Sequence, residues 1–106
     1  MGEPEQVYRV RVSPRAAHML AEHAAFLARA SRPAAVRLRT AFRESAASLV
    51  HYPERCPYLR DELLPKSKYR KLIFADTYLI LYEIVGNTVL VQYVVDCRAD
   101  YGWLLD

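Results

Sequence analysis

Cysteine is scarce in this sequence, and long apolar runs are absent. Cys56 and Cys97 are the only thiols; they lie far apart, with neither a CxxC spacing nor a nearby histidine ligand pattern. This argues against zinc and a disulfide framework, and leaves two reduced, structural thiols. No metal or other cofactor is expected. The apolar runs fall far below the roughly 20 residues that span a bilayer, and the opening MGEPEQ is short and polar. A soluble, cytoplasmic protein with no membrane partner is expected. Internal repeats and low-complexity segments are also missing. The 106 residues, 53% of them hydrophobic, are enough for one domain with its own core, residues 1–106.

Acid is missing locally as well. The net charge is only +3, yet Arg29, Arg32, Arg37, Arg39 and Arg43 follow one another with no carboxylate before Glu44. A second cluster holds Lys66, Lys68, Arg70 and Lys71. Such clusters are either solvated faces or contacts for a polyanion or an acidic protein. Arg37, Arg43, Lys68, Arg70 and Lys71 are the candidate partner contacts among them.

What is present alternates by element. VYRVRV, residues 7–12, places Tyr8, Val10 and Val12 between arginines at period two and predicts a half-buried strand. Ser13-Pro14 is a helix start, and Ala17, Leu20, Ala24 and Leu27 form one apolar face of a helix running to about Ala30. Ser31-Arg32-Pro33 repeats the signal. Leu38, Phe42, Ala46 and Leu49 stripe a second helix that ends before Tyr52-Pro53, so an antiparallel helical hairpin is expected. Pro53, Pro57 and Pro65 then keep His51 to Pro65 irregular, with a short turn around Leu59 to Leu64. YRKLIF, TYLILYEIV and TVLVQYVVD predict three strands, turned at Ala75-Asp76 and at Gly86-Asn87. Tyr69, Tyr78, Tyr82 and Tyr93 are expected to pack as sheet aromatics with their hydroxyls at the rim.

These elements define an α+β fold of order strand-helix-helix-strand-strand-strand. The last three strands form an antiparallel meander, which the first joins as a parallel or edge partner. The hairpin covers one face and leaves the other partly open. VVDCRADYGWLL, residues 94–105, breaks a strand into polar residues and turns apolar again. Arg98 reads as a working group at the strand end, and Trp103 and Leu104 as a lid on a short helix or ordered coil.

YRVRVSPRAAHMLAEHAAFL, the meander YRKLIFADTYLILYEIVGNTVLVQYVV and the closing DCRADYGWLL together resemble the RelE/ParE superfamily of toxins from type II toxin–antitoxin systems, the plasmid-stabilisation type. The resemblance spans about Val7 to Leu105. It implies a growth-inhibiting toxin, a small acidic antitoxin that folds onto it, and an oligomer formed with that antitoxin. In the members that cut mRNA on the ribosome, cations on the strands and an arginine with an aromatic in the tail stabilise a charged phosphorane and move protons. Arg70, Arg98 and Tyr101 match those catalytic roles without any metal, if the chain is a nuclease. Lys68, Arg70, Lys71, Arg37, Arg43 and Arg98 are the candidate target or antitoxin contacts.

The third strand departs from the nuclease pattern. Tyr78-Leu79-Ile80-Leu81-Tyr82 carries Leu79 where the family commonly has arginine, and His18, His23 and His51 all lie outside the meander and tail. The two helices have the length of ParE-type toxins, which act on DNA gyrase, rather than the shorter RelE type. The resemblance therefore implies gyrase inhibition by binding. An mRNA endonuclease and an inactive homologue serving as an interaction module are the alternatives.

Overall fold

The computed structural model describes residues 6–60 and 67–98. Along the chain come β1 (Arg9–Val12), α1 (Pro14–Ala28), α2 (Arg32–Ser48), a single 3-10 turn (Pro53–Arg55), β2 (Arg70–Phe74), β3 (Tyr78–Val85) and β4 (Thr88–Asp96). Both helices begin where the serines direct. Ser13 Oγ accepts the Ala16 N–H at 3.0 Å and Ser31 Oγ the Ala34 N–H at 3.2 Å. Each cap is worth about 1 kcal/mol. A short 3-10 turn falls at Pro53–Arg55, opened by the proline, whereas the turn expected around Leu59 to Leu64 lies mostly on residues 61–66, outside the described residues.

The sheet order is β1-β4-β3-β2. Strands β2, β3 and β4 are antiparallel, and β1 lies parallel to β4 at the edge. Gly86, at φ +61°, supplies the left-handed residue of the β3–β4 hairpin and pairs Val85 with Thr88. Helix α1 packs on β4, whereas α2 reaches β2, where Phe42 meets Phe74 edge to face at 5.7 Å.

Two apolar clusters hold the sheet. The larger lies under the hairpin and joins Ala16, Leu20, Ala24, Leu38, Phe42, Ala46 and Leu49 to Phe74, Ile80, Tyr82, Val89, Val91 and Val94. It is Ala16 that faces this core, not Ala17, which is exposed. The second face is less open than the sequence suggests. Leu59, Tyr69, Leu79, Leu81, Tyr93 and Val95 form a smaller buried cluster there. A β-bulge explains its composition. The register shifts between Leu81 and Tyr82, which pair with Tyr93 and Val91, so Gln92 is the extra residue. Strict alternation would send Val91 and Tyr93 to one face; the bulge sends Tyr93 to the other.

Since β1 ends opposite Val91, the last residues of β4 are an edge. Side chains of the α1 segment cover its carbonyls. Ser13 Oγ and Arg15 Nε donate to Gln92 O at 3.4 and 3.2 Å, and His23 Nε2 lies 3.0 Å from Val94 O. A carbonyl only accepts, so His23 Nε2 carries the proton in this contact. Covering an edge in this way limits pairing with another chain.

Candidate functional site

Arg70 opens β2 on the helix-covered face and is spent on architecture. Its Nη1 donates to Glu54 O at 3.0 Å and Cys56 O at 2.7 Å, its Nη2 to the Tyr58 hydroxyl at 3.1 Å, and the guanidinium lies 4.1 Å from the Tyr58 ring centroid. These contacts pin the proline-rich segment to the sheet, together with an antiparallel bridge between Tyr58 and Arg70. Tyr82 adds a 2.6 Å donation to Pro53 O. That hydroxyl is buried in the interior instead of sitting at the rim, and burial, followed by Cys56, raises its pKa. Tyr8 completes the anchorage by donating to Glu54 Oε2 at 2.7 Å, which raises the Tyr8 pKa and lowers that of Glu54.

Beside this anchor lies a cleft of about 410 Å³ whose lining includes Glu54, Tyr58, Lys68, Arg70 and Glu83. Its charges are largely paired internally. Lys68 Nζ sits 3.5 Å from Glu83 Oε1, and Gln92 Nε2 donates to Glu83 Oε2 at 3.2 Å. Lys71 points to the opposite face from Arg70, opposite Leu81, as expected of neighbours on a strand. On that face Tyr69 meets Tyr93 edge to face at 5.5 Å, and Arg15 lies 3.9 Å over the Tyr93 ring. Burial, then Tyr93, pushes the Tyr69 pKa up to about 12. Leu79, in the position where nuclease relatives are expected to carry arginine, is 4% exposed within this cluster.

Arg98 stands at the other end of β3. Arg70 pairs with Tyr82, but Tyr78 pairs with Asp96, two residues before Arg98. Four residues of strand separate these positions, about 13 Å. The structure does not bring Arg70 and Arg98 together. Arg98 Nε and Nη2 instead donate to the two carboxylate oxygens of Asp96 at 3.0 and 2.7 Å, and its own N–H donates at 2.9 Å. Those bonds hold the Asp96 pKa down at about 2. His23, invisible as a site member in the sequence, reaches this end from α1, with its ring 5.2 Å from that of Tyr78. Tyr101, Trp103 and Leu104 lie outside the described residues.

A measurement follows from the Asp96–Arg98 fork. In an NMR titration the Asp96 carboxyl should show its midpoint near 2, and Arg98→Ala should move it towards the ordinary value of about 3.9. A depressed folded pKa stabilises above the unfolded value, and that contribution disappears as pH falls from about 4 to 2. Arg98 is 75% exposed, so solvent screens the pair and its share of the stability is small. An unchanged midpoint in Arg98→Ala would show that the fork does not form in solution.

The α2 arginines are exposed cations. Arg32, Arg37, Arg39 and Arg43 are all exposed, and none has an ion-pair partner among the described residues. Arg32, Arg39 and Arg43 share one flank of the helix, whereas Arg37 faces away beside Glu44. Among the exposed large apolar residues are Phe26 on α1, Val36 on α2 and Ile73 on the β2 edge. The described residues contain no helix long and apolar enough to cross a membrane.

A two-helix hairpin over a four-stranded mixed sheet, with exposed arginines and apolar groups on its surface, makes a small α+β protein. The family model described as ParE toxin of type II toxin-antitoxin system, parDE, matches residues 10–101, and the chain belongs to that family of toxins. Among solved structures it is similar to a chain described as chromosomal ParDE TA system from P. aeruginosa, with a TM-score of 0.73, 13% identity, and coverage of 88% of this chain and 99% of that one. At that identity the likeness concerns the fold. No curated protein matches the sequence.

Proposed function

We propose that this toxin arrests growth by binding DNA gyrase, and that a cognate acidic antitoxin neutralises it by folding over its surface. The observation that carries this reading is Leu79. Where an RNA-cutting relative needs a cation for the phosphorane, this chain buries a leucine among Leu59, Leu81 and Val95. Loss of one such stabilising group costs a catalyst roughly 10²–10³-fold. The geometry adds support, because Arg70 is bound to carbonyls and Arg98 to Asp96. Binding needs no such constellation.

The antitoxin reading rests on complementary chemistry. Phe26 and Val36 offer apolar area on the hairpin, and Arg37 and Arg43 offer charges that an acidic segment neutralises as it orders. The complex would be a hetero-oligomer with its antitoxin. Co-expression with the product of the adjacent reading frame should yield a stable complex and restore growth. Expression of the toxin alone should stop growth with DNA-damage signalling, whereas mRNAs cut at the ribosomal A site would favour a nuclease. Harmless expression without any copurifying neighbour would remove the toxin reading.

A further inference from the structure

Helix α2 places its charges against its own stability. Its first turn holds Arg32 and no acid, although the macrodipole favours anions at a helix N-terminus. Arg39 and Arg43 are like charges at i,i+4, a repulsive arrangement. None of the three has an ion-pair partner among the described residues, and Glu44, the only acid of the helix, lies on another face.

The positions are nonetheless ordered. Arg32, Val36, Arg39 and Arg43 advance by four, three and four residues, which sets them in one stripe about 16 Å long. All four are exposed, Val36 by 63%. Ala35, Leu38, Phe42 and Ala46 face the core beside this stripe; the half-buried Ala34, Ala41 and Ser45 lie on the opposite flank, where α1 packs. The stripe therefore faces solvent, away from α1. Alternating steps of four and three form the seam along which a second helix lies. The flank offers only side chains, because the interior N–H and C=O groups of α2 bond within the helix. An extended segment would find no backbone partner there, whereas a helix satisfies its own. Val36 and the aliphatic arginine stems take an apolar side chain, which a nucleic-acid backbone does not offer.

We infer that an acidic helix of the antitoxin docks along this flank, with an apolar residue on Val36 and carboxylates at helical spacing on Arg32, Arg39 and Arg43. This rests on the antitoxin reading above, and it leaves Arg37, on the far side of α2, outside the contact. Charges that repel one another in the toxin alone are neutralised in the complex.

The test uses the full chain and the purified product of the adjacent reading frame, with affinity read by calorimetry and toxicity by growth arrest at equal soluble expression. Arg39→Glu/Arg43→Glu should weaken antitoxin binding by roughly 30-fold or more while growth arrest persists. Arg37→Glu should stay within about 3-fold of wild type. Arg32→Glu should weaken binding yet raise the thermal midpoint of the toxin alone, because an anion suits the start of the helix. Carbon chemical shifts of isotope-labelled antitoxin should turn helical over the bound segment. Undiminished binding by Arg39→Glu/Arg43→Glu, or an equal loss in Arg37→Glu, would overturn the flank while leaving the antitoxin reading intact. An extended bound segment would overturn the helical docking. Loss of growth arrest with antitoxin binding unchanged would assign the flank to the toxin's target instead. A wild type that binds no product of the neighbouring frame would overturn the antitoxin reading itself.

Discussion

Arg70→Ala is expected to unfold the protein more readily before it reveals anything about activity. Three hydrogen bonds and a stack on Tyr58 leave with the guanidinium, and the Cys56 carbonyl, held at 2.7 Å, loses its donor in a part-buried position. Hydrogen bonds to charged groups contribute about 1.5–3 kcal/mol, and an orphaned buried partner adds to the loss. A destabilisation of about 2–3 kcal/mol lowers the thermal midpoint by on the order of 10 °C in a chain of this size. Arg70→Lys should recover little, because one ammonium cannot reproduce the planar fork. Circular-dichroism melting checks this directly. A midpoint within about 2 °C of wild type would show that the guanidinium is free for a ligand, and would return Arg70 to the catalytic candidates.

Leu79→Arg should have the larger effect. The side chain would enter the buried cluster of Leu59, Tyr69, Leu81, Tyr93 and Val95, which is predominantly apolar. An uncompensated charge in such surroundings costs about 3–5 kcal/mol. Urea unfolding should show the loss as a reduced midpoint with its slope retained. The variant should also cut no RNA. If it folds with wild-type stability and cleaves mRNA on ribosomes, the second face is a nuclease site lacking only its cation.

The strands and helix starts were legible because local chemistry and tertiary packing agree there. Ser13-Pro14 and Ser31 cap as their side chains dictate, and TVLVQYVVD is β4 to the residue. Gln92 shows where periodicity ends: a bulge is set by pairing with β3, and no residue in β4 alone announces it. The proline-rich segment was harder for a related reason. Its path is fixed by Arg70, Tyr82 and Tyr8, residues at least 12 positions away in sequence. Nothing in the sequence marks the partners of Arg70, which are two backbone carbonyls of a kind every residue carries and the Tyr58 hydroxyl. His23 carries no such signal in the sequence either, because only the docking of α1 along the β4 edge brings it to Val94. Leu79, by contrast, was conspicuous in the sequence, and the buried cluster around it gives the physical reason for its side chain.

This ParE-family toxin is proposed to act on gyrase by binding. The most direct measurement incubates purified toxin with gyrase and plasmid, and separately with ribosomes carrying a defined mRNA. Gyrase-dependent loss of supercoiling or accumulation of trapped DNA breaks, with the mRNA intact and the effect reversed by the antitoxin, is the predicted result. Cleavage of the mRNA at the A site with gyrase unaffected would contradict the account.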